Sequence, residues 1–238
     1  MSRICHMTSA HPVKDVRIFY KECKTLHEMG LEVHLLSPSK KNNVQDGIHI
    51  IRLQPFRNRF IRILLYPWII LIKAFKVKAA VYHFHDPELM FIGFLLKLAG
   101  KKVIYDAHEN VPLQVNAKSY LIQPFRWFSA KAVKFIEEKG VRWFDGTIVA
   151  TESIKQRFPS RYFSKIVVVR NFVDPDEIRP REFTGKKKMV CYVGGISYNR
   201  GIDLLVRSIE GTGMTLALAG KFHNSGCMRK VKKLEGWR

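Results

Sequence analysis

The sequence predicts an α/β protein: a large parallel sheet with helices on both faces, followed by the start of a second unit of the same kind. Two observations carry this. Short apolar runs of strand length alternate with segments of helical periodicity from the first residue onward. The alternation then breaks at a stretch rich in proline and charge, and restarts beyond it.

Strands are expected at Arg3–Met7, Glu32–Leu36, Ile48–Leu53, Val81–His85, Val103–Asp106, Thr147–Ala150 and Ile166–Val169. After the first of these, "DVRIFYKECKTLHEMG" repeats Val16, Phe19, Cys23 and Leu26 at three- and four-residue spacing. Asp15 is placed to cap its start and Gly30 its end. "PELMFIGFLLKLAG" opens with Pro87 at a helix-initiating position and stops at Gly100. Residues 1–170 are thus expected to form a first Rossmann-like domain. "NFVDPDEIRPREFTGKKK", residues 171–188, reads as a linker. Residues 189–238 restart the pattern, with "MVCYVGG" as strand, "GIDLLVRSIE" as helix and "TLALAG" as strand. So small a parallel sheet leaves edges unpaired and a face uncovered, so the second domain is expected to be incomplete.

With 238 residues and 47% hydrophobic composition, the chain can bury a sizeable core, which excludes a disordered protein. Its 41 Lys and Arg against 20 Asp and Glu leave a formal charge of +21. That excess bears on partners: nucleic acid, an anionic membrane face or a phosphorylated substrate. No helix-turn-helix, RNP-like strand or zinc spacing accompanies the charge, so nucleic acid ranks last. The cysteines, Cys5, Cys23, Cys191 and Cys227, form no CxxC pair. Cys5 and Cys191 fall in apolar strand-like runs, where a thiol acts as a small hydrophobe, and a reduced cytosolic compartment fits best. "MSRICHMTSAHP" is too weakly apolar for a signal peptide.

"KKVIYDAHENVP" ends an apolar strand in Asp106, His108, Glu109 and Asn110. Polar groups at a strand end are ordinarily a solvated loop. In an open α/β sheet, however, ligands collect beyond the carboxyl ends of the strands. His85 and Asp86 follow another strand, and Thr8, Ser9 and His11 follow the first. Three strand ends each bringing a histidine to one crevice favour function. In "YVGGISYNRGIDLL", Gly194 and Gly195 follow a strand and Arg200 precedes Gly201 at a helix start. Such a turn admits a phosphate group, and Arg200 can add charge-assisted bonds. The spacing matches neither a dinucleotide fingerprint nor a P-loop.

"TSAHPVKDVRIFYKE", "HFHDPELM", "VIYDAHENVP", "VVVRNFVD" and "YVGGISYNRGIDLLVRSI" occur in the order seen in family-four glycosyltransferases of the GT-B type. The chain most resembles bacterial members that build cell-surface polysaccharides. The resemblance implies two Rossmann-like domains facing across a cleft, with the nucleotide-sugar mainly on the second and the acceptor on the first. His108 resembles the histidine beside the transferring sugar. The loop from Ser9 to Arg17 resembles the segment that approaches donor phosphate and acceptor. By this likeness Ser9 and Asn171 lie on the donor side, and His11, Asp15, Arg17, His85 and Glu109 on the acceptor side. Arg200 stands where the family has a diphosphate-binding lysine. Gly195 replaces a common arginine, leaving the backbone amides of Gly194 and Gly195 to compensate in part. The family's pair of glutamates eight residues apart has no counterpart after Gly211, where Glu235 is the only acidic residue. A fragment of this kind is expected to bind donor weakly.

The implied reaction moves a sugar from a nucleotide-sugar to a lipid-linked or surface saccharide with retention of configuration. Arg200 would steady the leaving diphosphate, and His108 would position hydroxyls or stabilise charge without acting as a general base. The alternative is an inactive truncated relative that binds membrane or a partner. No cofactor and no metal are expected: "DPD" at Asp174–Asp176 falls in the linker, so activity should survive a chelator. Between Gly47 and His85 there is no Asp or Glu, and "RNRFIRILLYPWIILIKAFKVK" sets Arg57, Arg59, Arg62, Lys73, Lys76 and Lys78 around an apolar run, Ile63–Ile72. That run is far short of the roughly 20 residues needed to span a bilayer. It reads as core helix, as solvated face or as a surface for anionic lipid. "SYLIQPFRWFSAKAVKFI", with Trp127 and Phe128, is a second basic and aromatic patch, so an anionic inner membrane face is an expected partner.

Overall fold

A computed structural model describes residues 2–54, 59–116, 122–173, 185, 187–223 and 225–233. The chain divides into two compact units, Met1–Phe172 and Val173–Arg238.

The first unit is built on a sheet ordered β3-β4-β2-β1-β5-β6-β7-β8. Its strands are β1 (Arg3–Met7), β2 (Glu32–Pro38), β3 (Asn43–Gln45), β4 (Ile48–Leu53), β5 (Val81–Phe84), β6 (Lys102–Ala107), β7 (Gly146–Val149) and β8 (Ile166–Val168). All neighbours pair in parallel except β3 and β4. The expected strands form with ends shifted by at most two residues. The antiparallel edge strand β3 was not foreseen, although its signal is present. Asp46 and Gly47 both have positive φ, 49° and 76°, in a tight hairpin of the kind an Asp-Gly pair favours.

The helices are α1 (Lys24–Glu28), α2 (Arg59–Val77), α3 (Met90–Leu98), α4 (Val111–Asn116), α5 (Gln123–Trp143) and α6 (Glu152–Lys155). One face of the sheet carries Cys5, Met7, Tyr82, Phe84, Val103 and Tyr105 in a core that also holds Tyr66 and Ile70 of α2, Ile92 of α3 and Val141 of α5. Packing there is close. A Cβ on Gly93 would stand 2.7 Å from the Phe84 ring and 2.8 Å from that of Phe144, so only glycine lets α3 approach. Behind this core Glu137, 1% exposed, takes two bonds from Arg157 (2.5 and 3.0 Å) and one from the Tyr105 hydroxyl (2.8 Å).

On the other face Asp15 caps a helix, as expected, its Oδ1 accepting from Arg17 N at 2.9 Å and Ile18 N at 3.0 Å. The helix is not the expected α-form. Val16–Cys23 is a π-helix that runs on into α1. Val16, assigned above to the apolar stripe, is exposed, whereas Ile18, Phe19 and Cys23 are buried against Val33, Leu35, Ile48 and Ile50. Bonding between residues five apart widens the turn and brings Arg17 and Glu22 to one side.

The apolar helix α2 contains Pro67 and leaves Leu64, Leu65, Trp68, Ile72 and Phe75 exposed, with Trp68 edge-on to exposed Phe91 at 5.8 Å. No helix among the described residues is long and apolar enough to cross a membrane. In the second unit β9 (Met189–Val193) and β10 (Thr215–Ala219) pair in parallel, with α7 (Ile202–Ser208) and α8 (Ser225–Val231). Ile196, Ile202, Val206, Cys227 and Val231 form its core. Cys191, expected to act as a buried hydrophobe, is exposed, because its side of β9 carries no share of that core. Asp174 and Asp176 lie outside the described residues.

Candidate functional site

The strand order reverses direction between β1 and β5, the point where an open parallel sheet leaves a crevice beyond its carboxyl ends. The loops after β1, β5 and β6 meet there. After β1, Thr8 Oγ1 and Ser9 N each donate to Asp86 Oδ2 at 2.7 Å, and Ser9 Oγ donates to Glu88 at 2.6 Å. His11 stands over them, Nε2 3.5 Å from Asp86 Oδ1 and Nδ1 3.3 Å from Asp15 Oδ2.

Asp106, fully buried at the end of β6, is the hub of a second cluster. Arg17 grips it with both arms of its fork, Nε to Oδ2 at 2.8 Å and Nη2 to Oδ1 at 2.9 Å, while Nη1 donates to Val169 O at 2.9 Å. His85 Nδ1 lies 3.1 Å from Asp106 Oδ2. His108 Nδ1 lies 3.2 Å from the same oxygen, within ion-pair distance. Burial alone would raise the Asp106 carboxyl, but His108, His85 and Arg17 outweigh it and hold the group well below the usual carboxylate range. For His108 the opposition is the same: burial disfavours the imidazolium, Asp106 restores it, and the pKa ends above the ordinary 6.5. The His108 side chain, 15% exposed, is the member of this cluster that reaches the surface, with its ring 5.2 Å from that of His11.

Behind Asp106 lies a group that sequence reasoning did not select. His6 of β1 pairs directly with His83 of β5, and His85, two residues on, shares its face. Glu22 of the π-helix faces all three from 3.8–3.9 Å, with Arg17 Nε 3.2 Å from its other oxygen. Burial, then the neighbouring imidazoles, pushes His6 and His83 well below 6.5. Burial, with Asp106 nearby, raises Glu22 to about 8.

Of the residues singled out above, Ser9, His11, Asp15, Arg17, His85 and His108 come together at the strand ends. His85 is 2% exposed and has both ring nitrogens engaged, so it acts on the site through Asp106. Glu109 is exposed beside the cluster. Asn171 is exposed and accepts from Lys21 Nζ. Asp86 and Asp106 are the anchors that were named only in passing. Their signal was the same as that of the histidines, a polar residue ending an apolar strand.

In the second unit Arg200 is exposed in a short turn ahead of Gly201, whose φ of 67° demands glycine. The amide of Gly194 does not point outward as expected. It donates to Ala219 O at 2.9 Å, because the β9–β10 pairing continues one residue past Val193. Gly195 carries no such bond on its amide among the described residues, and its carbonyl accepts from Tyr192 at 2.9 Å.

The geometry can be set beside known proteins. Residues 16–177 match the model for Glycosyltransferase Family 4. No curated protein matches. Among solved structures, sucrose-phosphate synthase from Thermosynechococcus elongatus superposes with a TM-score of 0.70 at 16% identity, over 92% of this chain and 62% of that one. A glycosyltransferase from Rickettsia africae ESF-5 gives 0.62 at 16% identity, over 98% and 64%. Anabaena Alr3699/HepE, solved in complex with UDP, gives 0.59 at 9% identity, over 98% and 64%. The chain therefore spans 62–64% of the length of these proteins. At such identities the likeness is one of fold, the Rossmann-like architecture of GT-B glycosyltransferases. Since the family model covers well over half of its length, this chain belongs to glycosyltransferase family 4.

Proposed function

We propose that the chain serves a glycosyltransferase that moves a sugar from a nucleotide-sugar to a lipid-linked or cell-surface saccharide, with retention of configuration. The observation that carries this reading is the cluster on Asp106, which presents one accessible, charge-favouring imidazole, His108, at the switch point of the sheet. A raised pKa suits a donor of hydrogen bonds and positive charge, and not a base. His108 would hold hydroxyls of the transferring sugar as negative charge grows on the departing diphosphate. Ser9 and Asn171 belong to the donor side of this reading. His11, Asp15, Arg17 and Glu109 shape the acceptor side, and His85 positions Asp106. Arg200 and the Gly195 amide meet the diphosphate.

Transfer is proposed to need no cofactor and no ion on the diphosphate, so added Mg²⁺ or Mn²⁺ leaves the rate unchanged. UDP-linked sugars are the first donors to try, since Anabaena Alr3699/HepE was solved with UDP. His108→Ala is expected to lower kcat by about 10²–10³-fold with little change in KM for donor, read as UDP release. Equal release from wild type and variant would remove His108 from the mechanism.

A second reading, an inactive relative that binds membrane or a partner, is favoured by the engaged Gly194 amide. It predicts no UDP release from either protein. Both readings place the chain at the cytoplasmic face of an anionic membrane, through the apolar stripe of α2 with Lys73 and Lys76, and through Trp127 and Phe128 of α5. Co-sedimentation with anionic vesicles is expected at low salt and should weaken severalfold as salt screens the lysines. Binding that is indifferent to salt would argue against it.

A further inference from the structure

We infer that His6, His83, His85 and Glu22 form a buried binding site for a divalent transition-metal ion of the zinc class. Four potential ligand atoms converge, one from each side chain. His6 Nδ1 and His85 Nε2 are 3.1 Å apart. Glu22 Oε2 lies 3.9 Å from His6 Nδ1, 3.8 Å from His83 Nδ1 and 3.8 Å from His85 Nε2. A tetrahedral zinc ion with bonds of about 2.0–2.1 Å separates its ligands by about 3.3 Å. The four atoms all lie within 4.8 Å of one another, so rotations of the side chains would bring them to the corners of such a site.

Two further observations point to a ligand. The first is what the cluster lacks. Glu22 is enclosed, its side chain 11% exposed, yet neither of its oxygens has a hydrogen-bond partner among the described residues. A carboxylate so enclosed is costly to leave unsatisfied, and a cation shared with the converging nitrogens Nδ1 of His6, Nδ1 of His83 and Nε2 of His85 would engage it. The second is the outer shell. His85 turns its Nδ1 to Asp106 at 3.1 Å, which directs Nε2 to the cluster, and Asp106 is itself locked by the Arg17 fork. A carboxylate behind a ligating histidine is the arrangement that orients such ligands in metal sites. Burial holds the Glu22 carboxyl up to about 8, and a bound ion would displace that proton, leaving two carboxylates against the Arg17 guanidinium and the ion. Three imidazoles and one carboxylate suit zinc-class ions and not Mg²⁺ or Ca²⁺, which prefer oxygen. A cavity of about 350 Å³, lined in part by Glu22, His83 and Lys21, adjoins the cluster.

The π-helix is what makes this set. Only the wider turn puts Glu22 above the sheet on the same side as Arg17. The ion would tie this helix to β1 and β5 beneath the transfer site, and the inference stands whether or not the chain transfers sugar.

The test is metal retention by the full chain without a histidine tag. After stripping with a chelator, one equivalent of Zn²⁺ per chain should survive gel filtration, and Co²⁺ should give the visible absorption of a tetrahedral site. His83→Asn should abolish both. Glu22→Gln, a milder change that guards against misfolding, should weaken binding at least tenfold. His49→Asn, in the more accessible Glu32–His34–His49 group, and His108→Asn should leave binding intact. No retained ion in the wild type would overturn the inference. So would a loss of binding that follows His49 or His108 and spares His83 and Glu22.

Discussion

Asp106→Asn is expected to destabilise the protein by about 3–5 kcal/mol, the range for removing one partner of a buried ion pair, and to abolish UDP release. Asp106 has no exposed surface, and three side chains depend on it: Arg17 by two bonds, His85, and His108 at 3.2 Å. Asparagine preserves the shape but replaces one acceptor oxygen with an amide donor. One arm of the guanidinium then faces a donor, and its buried charge loses its counterpart. His108 loses the carboxylate that raises its pKa, so less of it is charged near neutral pH. Urea denaturation with an unchanged m-value would register the first effect, and kcat per folded molecule the second. Pairing Asp106→Leu with Arg17→Met removes both charges and should restore much of the stability, with no recovery of activity. If the double variant were as unstable as the single one, the cost would lie in packing and not in the orphaned charge.

Arg157→Leu should cost a similar amount, about 3–5 kcal/mol, and leave catalysis per folded molecule untouched. The substitution strands the Glu137 carboxylate, 1% exposed, with only the Tyr105 hydroxyl at 2.8 Å. At about 2–4 °C per kcal/mol for a unit of this size, the melting temperature should fall on the order of 10 °C. Glu137→Leu added to Arg157→Leu should recover most of it, since an apolar pair fills the site without desolvated charge. This pair lies on the core side of β6, where Tyr105 points, whereas Asp106 next to it points to the opposite face. Adjacent residues of one strand therefore separate a scaffold defect from a functional one. A loss of kcat in Arg157→Leu at temperatures where the protein stays folded would contradict that separation.

Much of the fold is legible in the sequence because its signals are local. Apolar runs placed the parallel strands, and Asp15 and Gly100 marked helix ends where the structure has them. The misses are also physical. The Val16, Phe19, Cys23, Leu26 stripe was counted on an α-helical period, and the chain winds more widely there, which turns Val16 outward and Glu22 inward. Strand β3 is three residues long, too short for alternation to show, and only Asp46–Gly47 announced it. The Gly194 amide looked free because a pairing that runs one residue past the expected strand leaves no trace in composition.

The candidate site divides in the same way. That polar residues end β1, β5 and β6 can be read directly, and so can the basic, apolar character of α2. Which of them meet could not be. Arg17 and Asp106 are 89 residues apart, and His6 and His85 are 79 apart. Most of the elements follow from local pattern, because periodicity, capping and turn chemistry act between near neighbours. It takes the folded chain to make Asp106 a hub, to turn His6, His83, His85 and Glu22 toward one another, and to assign Glu137 to the scaffold. Strand order and the face a side chain takes bring such groups into contact, and the energy of a buried charge depends on that contact.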